Sequence, residues 1–193
     1  MNKKLIFKIT TERLILRNLK VADVAVEYVQ WLNDPQFKRY LTHSTKKFTI
    51  ASCRKFVRSY ACCRDKALIG IFLRTSHTHI GNITISSIDW QNRFIVVGIG
   101  IGHKGCARKG FAFEAMNAIM RLFFDDFGIN SIQAGINVNN LKSLNLFLKC
   151  GFKIEGHLRQ TNFIGGEFQD AYIVSCLKQD FIYLYPKACK KSI

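Results

Sequence analysis

The sequence predicts an α/β domain built on one mixed, mostly antiparallel sheet of six or seven strands with helices on both faces. Three observations carry that expectation. Apolar spacing alternates between periods of two and of three to four residues, in the order βααβββαβαββ. No internal repeat and no Pro/Gly/Ser-rich linker divides the 193 residues, so one sheet between helical layers is the economical arrangement. Finally, 48% of the chain is hydrophobic and 22% charged, with 2 prolines and 13 glycines, the balance of a chain that buries an ordinary core. Residues 1–193 are therefore expected to form a single domain, with a core over about 11–179 and a short basic C-terminal tail.

Arg13 to Leu19 alternates as a half-buried strand does. Val21 to Asn33 shifts to helical spacing, with Val21, Val24, Ala25, Tyr28 and Leu32 on one side and Pro35 as the stop. Thr49 can cap a second helix whose stripe is Ile50, Cys53, Val57 and Tyr60. Strands follow at Ala67–Leu73, His79–Ile88 and Phe94–Gly102, separated by short polar turns and so expected to be antiparallel neighbours. Ala112, Met116, Ile119, Met120, Phe123 and Phe127 then mark a long helix ended by Gly128. Ser131–Val138 reads as a strand, and Asn140–Lys149 as a short helix burying Leu141, Leu144 and Leu148. Two last strands, about Phe152–Gln160 and Phe168–Leu177, meet at Gly165 and Gly166.

Lys and Arg number 29 against 13 Asp and Glu, a formal charge of +16, and residues 1–66 alone hold 15 against 5. Such a surplus favours anionic partners or serves as a solvated face. No run reaches the ~18 apolar residues of a membrane span, and the N-terminus lacks a signal-peptide core. A cytoplasmic protein is expected. The seven cysteines are scattered without a CxxC pair and read as free thiols. The five histidines show no HxxxH; His77 and His79 are a remote metal pair, and no metal is expected.

Between the third middle strand and the long helix lies His103-Lys104-Gly105-Cys106-Ala107-Arg108-Lys109-Gly110. A strand, a glycine-punctuated loop and a helix start present free backbone N–H groups and a helix dipole to an anion. Three cations reinforce a phosphate site there. The GxxxxGK[ST] pattern is missing, and the GxGxxG fingerprint with a downstream acidic residue does not fit either.

IGIGHKGCARKGFAFEAM, followed by INVNNLKSLNLFLKCGFKIEGHLR, resembles the two linked acetyl-CoA signatures of the GNAT acetyltransferase superfamily. TERLILRNL, WLNDP, GNI at Gly81–Ile83 and DAYIVSCL are similar to its branch of ribosomal-protein N-terminal acetyltransferases and related small-molecule enzymes. The resemblance implies the GNAT fold, in which the strand before the loop splays from its neighbour and acetyl-CoA lies in the resulting V. Pantetheine would meet backbone groups of Ile99, Gly100 and Ile101. The pyrophosphate would sit on amides of Ala107, Arg108, Lys109, Gly110, Phe111 and Ala112, although Ala107 departs from the Arg or Gln of the pattern. Asn140, Ser143, Gly151 and Phe152 match the second signature; Asn140 would contact the cofactor arm or simply cap its helix.

Acetyl transfer to an amine needs a neutral amine, a stabilised oxyanion and a proton for the leaving thiolate. A backbone N–H near Ile101 would serve the oxyanion. Many relatives use Tyr as proton donor where this chain has Phe147, and the resemblance shifts that role to Ser143. Relatives often carry a carboxylate on the strand that here holds Val96 and Val97, so the base is sought at Asp89, or at Glu167 or Asp170, or in a water. An α-amine, with a reference pKa near ~7.7–8.0 against ~10.4 for lysine, needs the least help, favouring a protein N-terminus or an amino sugar. Net charge favours an anionic acceptor over a polyamine. Cys106 or Cys150 as an acyl carrier would need a base partner that the sequence does not offer. The rival reading is a catalytically silent fold that binds nucleic acid or an acidic protein; no RNP-like or helix-turn-helix signature supports nucleic acid. Monomer and homodimer both remain open.

Overall fold

In the computed structural model, residues 5–40 and 47–181 are described. Strand β1 (Lys8–Thr10) turns into β2 (Leu14–Asn18), which buries Leu14 and Leu16 on one face and sends Ile15 toward the other. A 3₁₀ turn at Val21–Asp23 precedes α1 (Val26–Asn33), whose Tyr28 and Trp31 are buried. The single helix expected over Val21–Asn33 is thus broken, because the Asp23 carboxylate accepts from the Lys20 amide and from Arg17 and closes a tighter turn. Helix α1 ends at Asn33 with Asp34 extended before Pro35, as its sequence implies, and Pro35 then opens α2 (Pro35–Lys38), where its missing N–H costs nothing. Helix α3 (Ile50–Arg58) starts at a Thr49–Ser52 capping box, as its sequence implies.

Then come β3 (Ala67–Leu73), β4 (His79–Asp89), β5 (Phe94–Ile101), α4 (Phe111–Arg121), β6 (Ser131–Asn137), α5 (Leu141–Lys149), β7 (Lys153–Ile164) and β8 (Glu167–Leu177). Helix α4 runs on through a wider turn at Leu122–Asp126 and stops at Gly128, whose φ of 67° is the left-handed stop signal.

The strands form one sheet in the order β1-β2-β3-β4-β5-β6-β8-β7, eight rather than six or seven because the three-residue β1 adds an edge. Only β5 and β6 run parallel; every other neighbouring pair is antiparallel. Side chains alternate across β3: Ala67, Ile69 and Ile71 join the core under α4 and α5, while Leu68 and Phe72 join the core under α1 and α3. The first of these cores includes Met116, Ile119, Met120 and Phe123 of the α4 face, and the second Tyr28, Trp31, Cys53 and Val57. Helices therefore cover both faces. Among the described residues no helix is long and apolar enough to cross a membrane.

One buried stripe differs from its expectation. Leu141 and Leu148 of α5 are 61% and 40% exposed, and Phe147 is the buried side chain, packed edge-on to Phe152 at 4.8 Å.

Candidate active site

Strand β5 pairs with β4 along its whole length, from Asp89 opposite Phe94 to Gly81 opposite Ile101. Its parallel ladder with β6 ends after three pairs, at Val96 opposite Gln133, whereas β6 stays with β8 as far as Asn137 opposite Ala171. The two strands thus diverge into a V between Val97–Ile101 and 134–137. The register slip in β4 between Ile85 and Ser87 falls opposite Val97 and Val96, so a bulge bends β4 and β5 together at the level where β6 is left behind.

Glycines at the end of β5 and just past it let aromatics approach the backbone. A Cβ at Gly100 would lie 2.8 Å from the Phe37 ring, and one at Gly102 1.5 Å from Trp31. Trp31 and Phe37 meet edge-on at 5.9 Å, so α1 and α2 are seated on the end of β5 that enters the loop. Lys104 reaches back to Asp34 at 2.8 Å, and the same Asp34 caps α2 through the Gln36 amide.

Beyond Ile101 the chain makes a 3₁₀ turn at Lys104–Cys106 and reaches α4 through two left-handed residues, Arg108 (φ 61°) and Gly110 (φ 80°). The Ala107 amide closes that turn onto the Lys104 carbonyl at 3.3 Å, so of the amides expected to face an anion this one is already used. Among the described residues, the amides of Arg108, Lys109, Gly110, Phe111 and Ala112 have no backbone acceptor, and no side chain caps α4. Five consecutive donors at a helix N-terminus form an anion cradle.

That cradle is fixed from a distance in sequence. Glu114, only 4% exposed, accepts from the Thr11 hydroxyl at 2.6 Å, the Arg13 amide at 2.9 Å and Arg13 Nε at 2.6 Å. Arg13 Nη1 also donates to the Lys109 carbonyl at 3.0 Å, and its guanidinium lies 4.6 Å from the Phe111 ring centroid.

Opposite the loop, Asn140 caps α5, its side-chain oxygen accepting from the Ser143 amide at 3.2 Å. Ser143 sits half-buried in the first turn, and its hydroxyl makes no hydrogen bond among the described residues. Tyr40, just past α2, donates to the Asn139 carbonyl at 3.0 Å and ties α2 to the start of α5. Gln169 of β8 accepts from Asn137 at 2.8 Å and from Asn139 at 3.3 Å, bracing the same corner. Between α2 and the β7–β8 turn runs an open cleft of ≈ 540 Å³ lined by Lys38, Arg39, Gly165, Glu167 and Gln169, among others.

Residues 13–153 match a family model described as the acetyltransferase (GNAT) domain. The chain belongs to the GNAT acetyltransferase family. It is 28% identical over 177 residues to the uncharacterized N-acetyltransferase p20 of Bacillus licheniformis, covering 89% of this chain and 96% of that one. Over 105 residues, 53% of this chain and 59% of the other, it is 30% identical to the spermidine N(1)-acetyltransferase of Vibrio cholerae. Two solved structures share the fold. The V. cholerae spermidine N-acetyltransferase in complex with CoA and spermine has a TM-score of 0.78 at 21% identity, covering 88% of this chain and 98% of that one. The acetyltransferase MccE in complex with acetyl-CoA and AMP has a TM-score of 0.78 at 20% identity, with coverage of 86% and 93%.

In this GNAT chain the residues singled out by sequence do not all converge. Ile99, Gly100 and Ile101 line the V, and Arg108 to Ala112 form the cradle that follows it. Asp89 lies elsewhere: it ends β4 opposite Phe94, at the far end of β5, where it accepts from the Asn92 amide and side chain at 2.7 and 2.9 Å. Those bonds, the amide's foremost, hold its carboxyl below the ordinary range, as suits a turn-capping carboxylate. Asp170 is likewise engaged, accepting from the Gln160 amide and His157 at 2.8 Å each. Glu167 opens β8 and faces the cleft. Phe147 is core, and Cys150 is buried, its thiol pushed up to about 12 chiefly by burial, which removes the thiolate an acyl carrier needs. His77 stands in a turn at φ 57° while His79 is packed among Tyr28, Trp31 and Phe72, and among the described residues no group of His, Cys, Asp and Glu could hold a metal. The Thr11–Arg13–Glu114 connection and the seating of Trp31 and Phe37 were not legible; their signal is a buried acidic residue in a helix first turn and aromatics with no stripe of their own.

Proposed function

We propose that this chain, as one domain, transfers an acetyl group directly from acetyl-CoA to a primary amine, and that the acceptor is a protein N-terminal α-amine or an amino sugar rather than a polyamine. The observation that carries the donor side is the open edge of β5 leading straight into five unpartnered amides at the start of α4. Pantetheine amides would complete the ladder that β6 abandons at Ile99, Gly100 and Ile101. The pyrophosphate would take the amides of Arg108 to Ala112, with Arg108 and Lys109 adding positive charge.

Chemistry would occur at the mouth of the V. The amine nitrogen attacks the thioester carbon, the oxyanion accepts from a backbone N–H near Ile101, and collapse breaks the C–S bond. Ser143, at the start of α5, is the group proposed to protonate the departing thiolate. With Asp89 tied into a distant turn, the amine reacts from its neutral fraction, water takes the proton its nitrogen loses after attack, and solvent restores the proton that Ser143 gives to the thiolate.

The acceptor reading rests on charge. Among the described residues, the cleft beside α2 presents Lys38 and Arg39 against the carboxylate of Glu167, an environment that repels polycations and suits an acceptor bearing an acidic or neutral group. Membership in a ribosomal-protein branch is the form of this reading in which the acceptor is a protein.

Melting with and without acetyl-CoA tests the donor; at ~100 times its Kd a ligand adds ~2.7 kcal/mol. No shift with any acyl-CoA sinks the reading. Thiol release is then followed with spermine, acidic peptides with free N-termini and amino-sugar phosphates; a preference for spermine overturns the acceptor assignment. Ser143→Ala lowers turnover with donor binding intact, and unchanged turnover removes Ser143 from the mechanism. Gly110→Asp abolishes the melting shift.

A further inference from the structure

The geometry assigns Arg13, carried by the turn before β2, as a positioning residue of the donor site that neutralises Glu114 and thereby keeps the adjoining amide cradle open to phosphate. The inference rests on the proposed use of acetyl-CoA.

Glu114 is buried in the first turn of α4, next to the amides on which an anion would sit. A carboxylate there adds negative charge to the very end of the helix where a polyanion must bind. Two neutral donors, the Thr11 hydroxyl and the Arg13 amide, satisfy Oε1, and among the described residues the compensating charge comes from the Arg13 guanidinium, through Nε to Oε2 at 2.6 Å. The same guanidinium holds the Lys109 carbonyl at 3.0 Å, and its Nη2 lies 3.5 Å from where a Cβ of Gly110 would be. One planar fork thus grips both sides of the left-handed Gly110, a task for which a lysine point charge is a poor substitute. Ala107 and the helix itself offer no side chain for this task.

The test compares donors with and without phosphate. For Arg13→Gln, kcat/KM with acetyl-CoA is expected to fall about tenfold, the scale of one charge-assisted hydrogen bond, and calorimetric Kd for CoA to rise by the same factor. With acetyl-pantetheine, which carries no phosphate, kcat/KM stays within twofold of the parent. Arg13→Lys recovers part of the loss, and Arg13→Gln combined with Glu114→Gln recovers more, because the uncompensated charge is gone. Equal losses with both donors, or no loss with acetyl-CoA, overturn the assignment; so does a double variant as weak as Arg13→Gln alone. If Arg13→Gln fails to fold, Arg13→Lys against the parent carries the same donor comparison. Failure of the parent itself to bind CoA would instead refute the donor reading.

Discussion

Arg108 and Gly110 occupy the left-handed region at φ 61° and 80°, two residues apart in the loop before α4. For glycine that conformation is free; for arginine it costs about 1 kcal/mol. Replacing Arg108 by glycine relieves the strain but adds unfolded-state entropy. Arg108→Gly is therefore expected to raise stability by about 0.5 kcal/mol, and Gly110→Ala to lower it by about 1–2 kcal/mol. Urea unfolding of the two variants checks the pair, and shifts of the same sign would contradict the geometry. A second residue sets a pH limit. His79 lies 2.8 Å from the Asn82 carbonyl oxygen and 3.0 Å from that of Gly81, both through Nε2, so Nε2–H donates. Its Nδ1 is buried without a partner. Burial pulls the imidazole below its ordinary range, against those hydrogen bonds and the charge of Asp23, with Arg17 adding to the lowering. Because the folded pKa lies below the unfolded one, the stability this gives is full above about pH 6.5 and is lost as pH falls from there through the folded value. His79→Gln keeps a donor toward Asn82 and should flatten the acid limb of the stability–pH curve, by at most about 1.4 kcal/mol per pH unit.

At the scale of elements, legibility followed how local the determining forces are. Strand β3 occupies Ala67–Leu73, as its run of apolar residues implies, because both faces of a central strand are buried. The three-residue β1 escaped notice because it is too short to show a period. In α5 the segment LKSLNLFLKC carries two equally periodic stripes, and periodicity alone could not choose the one holding Phe147 and Cys150 over the one holding Leu141 and Leu148. The loop was readable because glycine marks left-handed backbone, whereas Glu114 finds Arg13 across 101 residues, a pairing no local pattern announces. The α1–α2 seat on β5 makes a prediction at this scale. Gly100→Ala would push a methyl to 2.8 Å from Phe37, so either α2 shifts or β5 bends. Overpacking of this kind costs about 1–3 kcal/mol. Gly98→Ala on the same strand meets nothing within 4 Å and should raise stability by about 0.5–1 kcal/mol through the lost entropy of glycine in the unfolded chain. Matched thermal melts of the two variants separate crowding from the loss of glycine itself.

For the molecule as a whole, the charge of +16 acts in two opposed ways. Arg13, Arg17, Lys104 and Lys153 are among the side chains that make ion pairs with carboxylates, but 29 Lys and Arg face only 13 Asp and Glu, so much of the surplus repels itself. Raising KCl from about 0.1 to about 1 M shortens the screening length from ~10 to ~3 Å, which weakens that repulsion and should raise the Tm of the free protein. The same screening weakens attraction of a polyanionic donor to the loop that carries Lys104, Arg108 and Lys109. With acetyl-CoA at a fixed concentration, its stabilising increment should therefore shrink as salt rises, since that increment depends on the logarithm of concentration over Kd. Thermal melts at both salt levels, with and without acetyl-CoA, read the two slopes independently. A constant increment would mean that donor binding owes little to charge, leaving the surplus to the acceptor, where 15 of the Lys and Arg residues lie within the first 66 positions that include α1, α2 and one wall of the cleft.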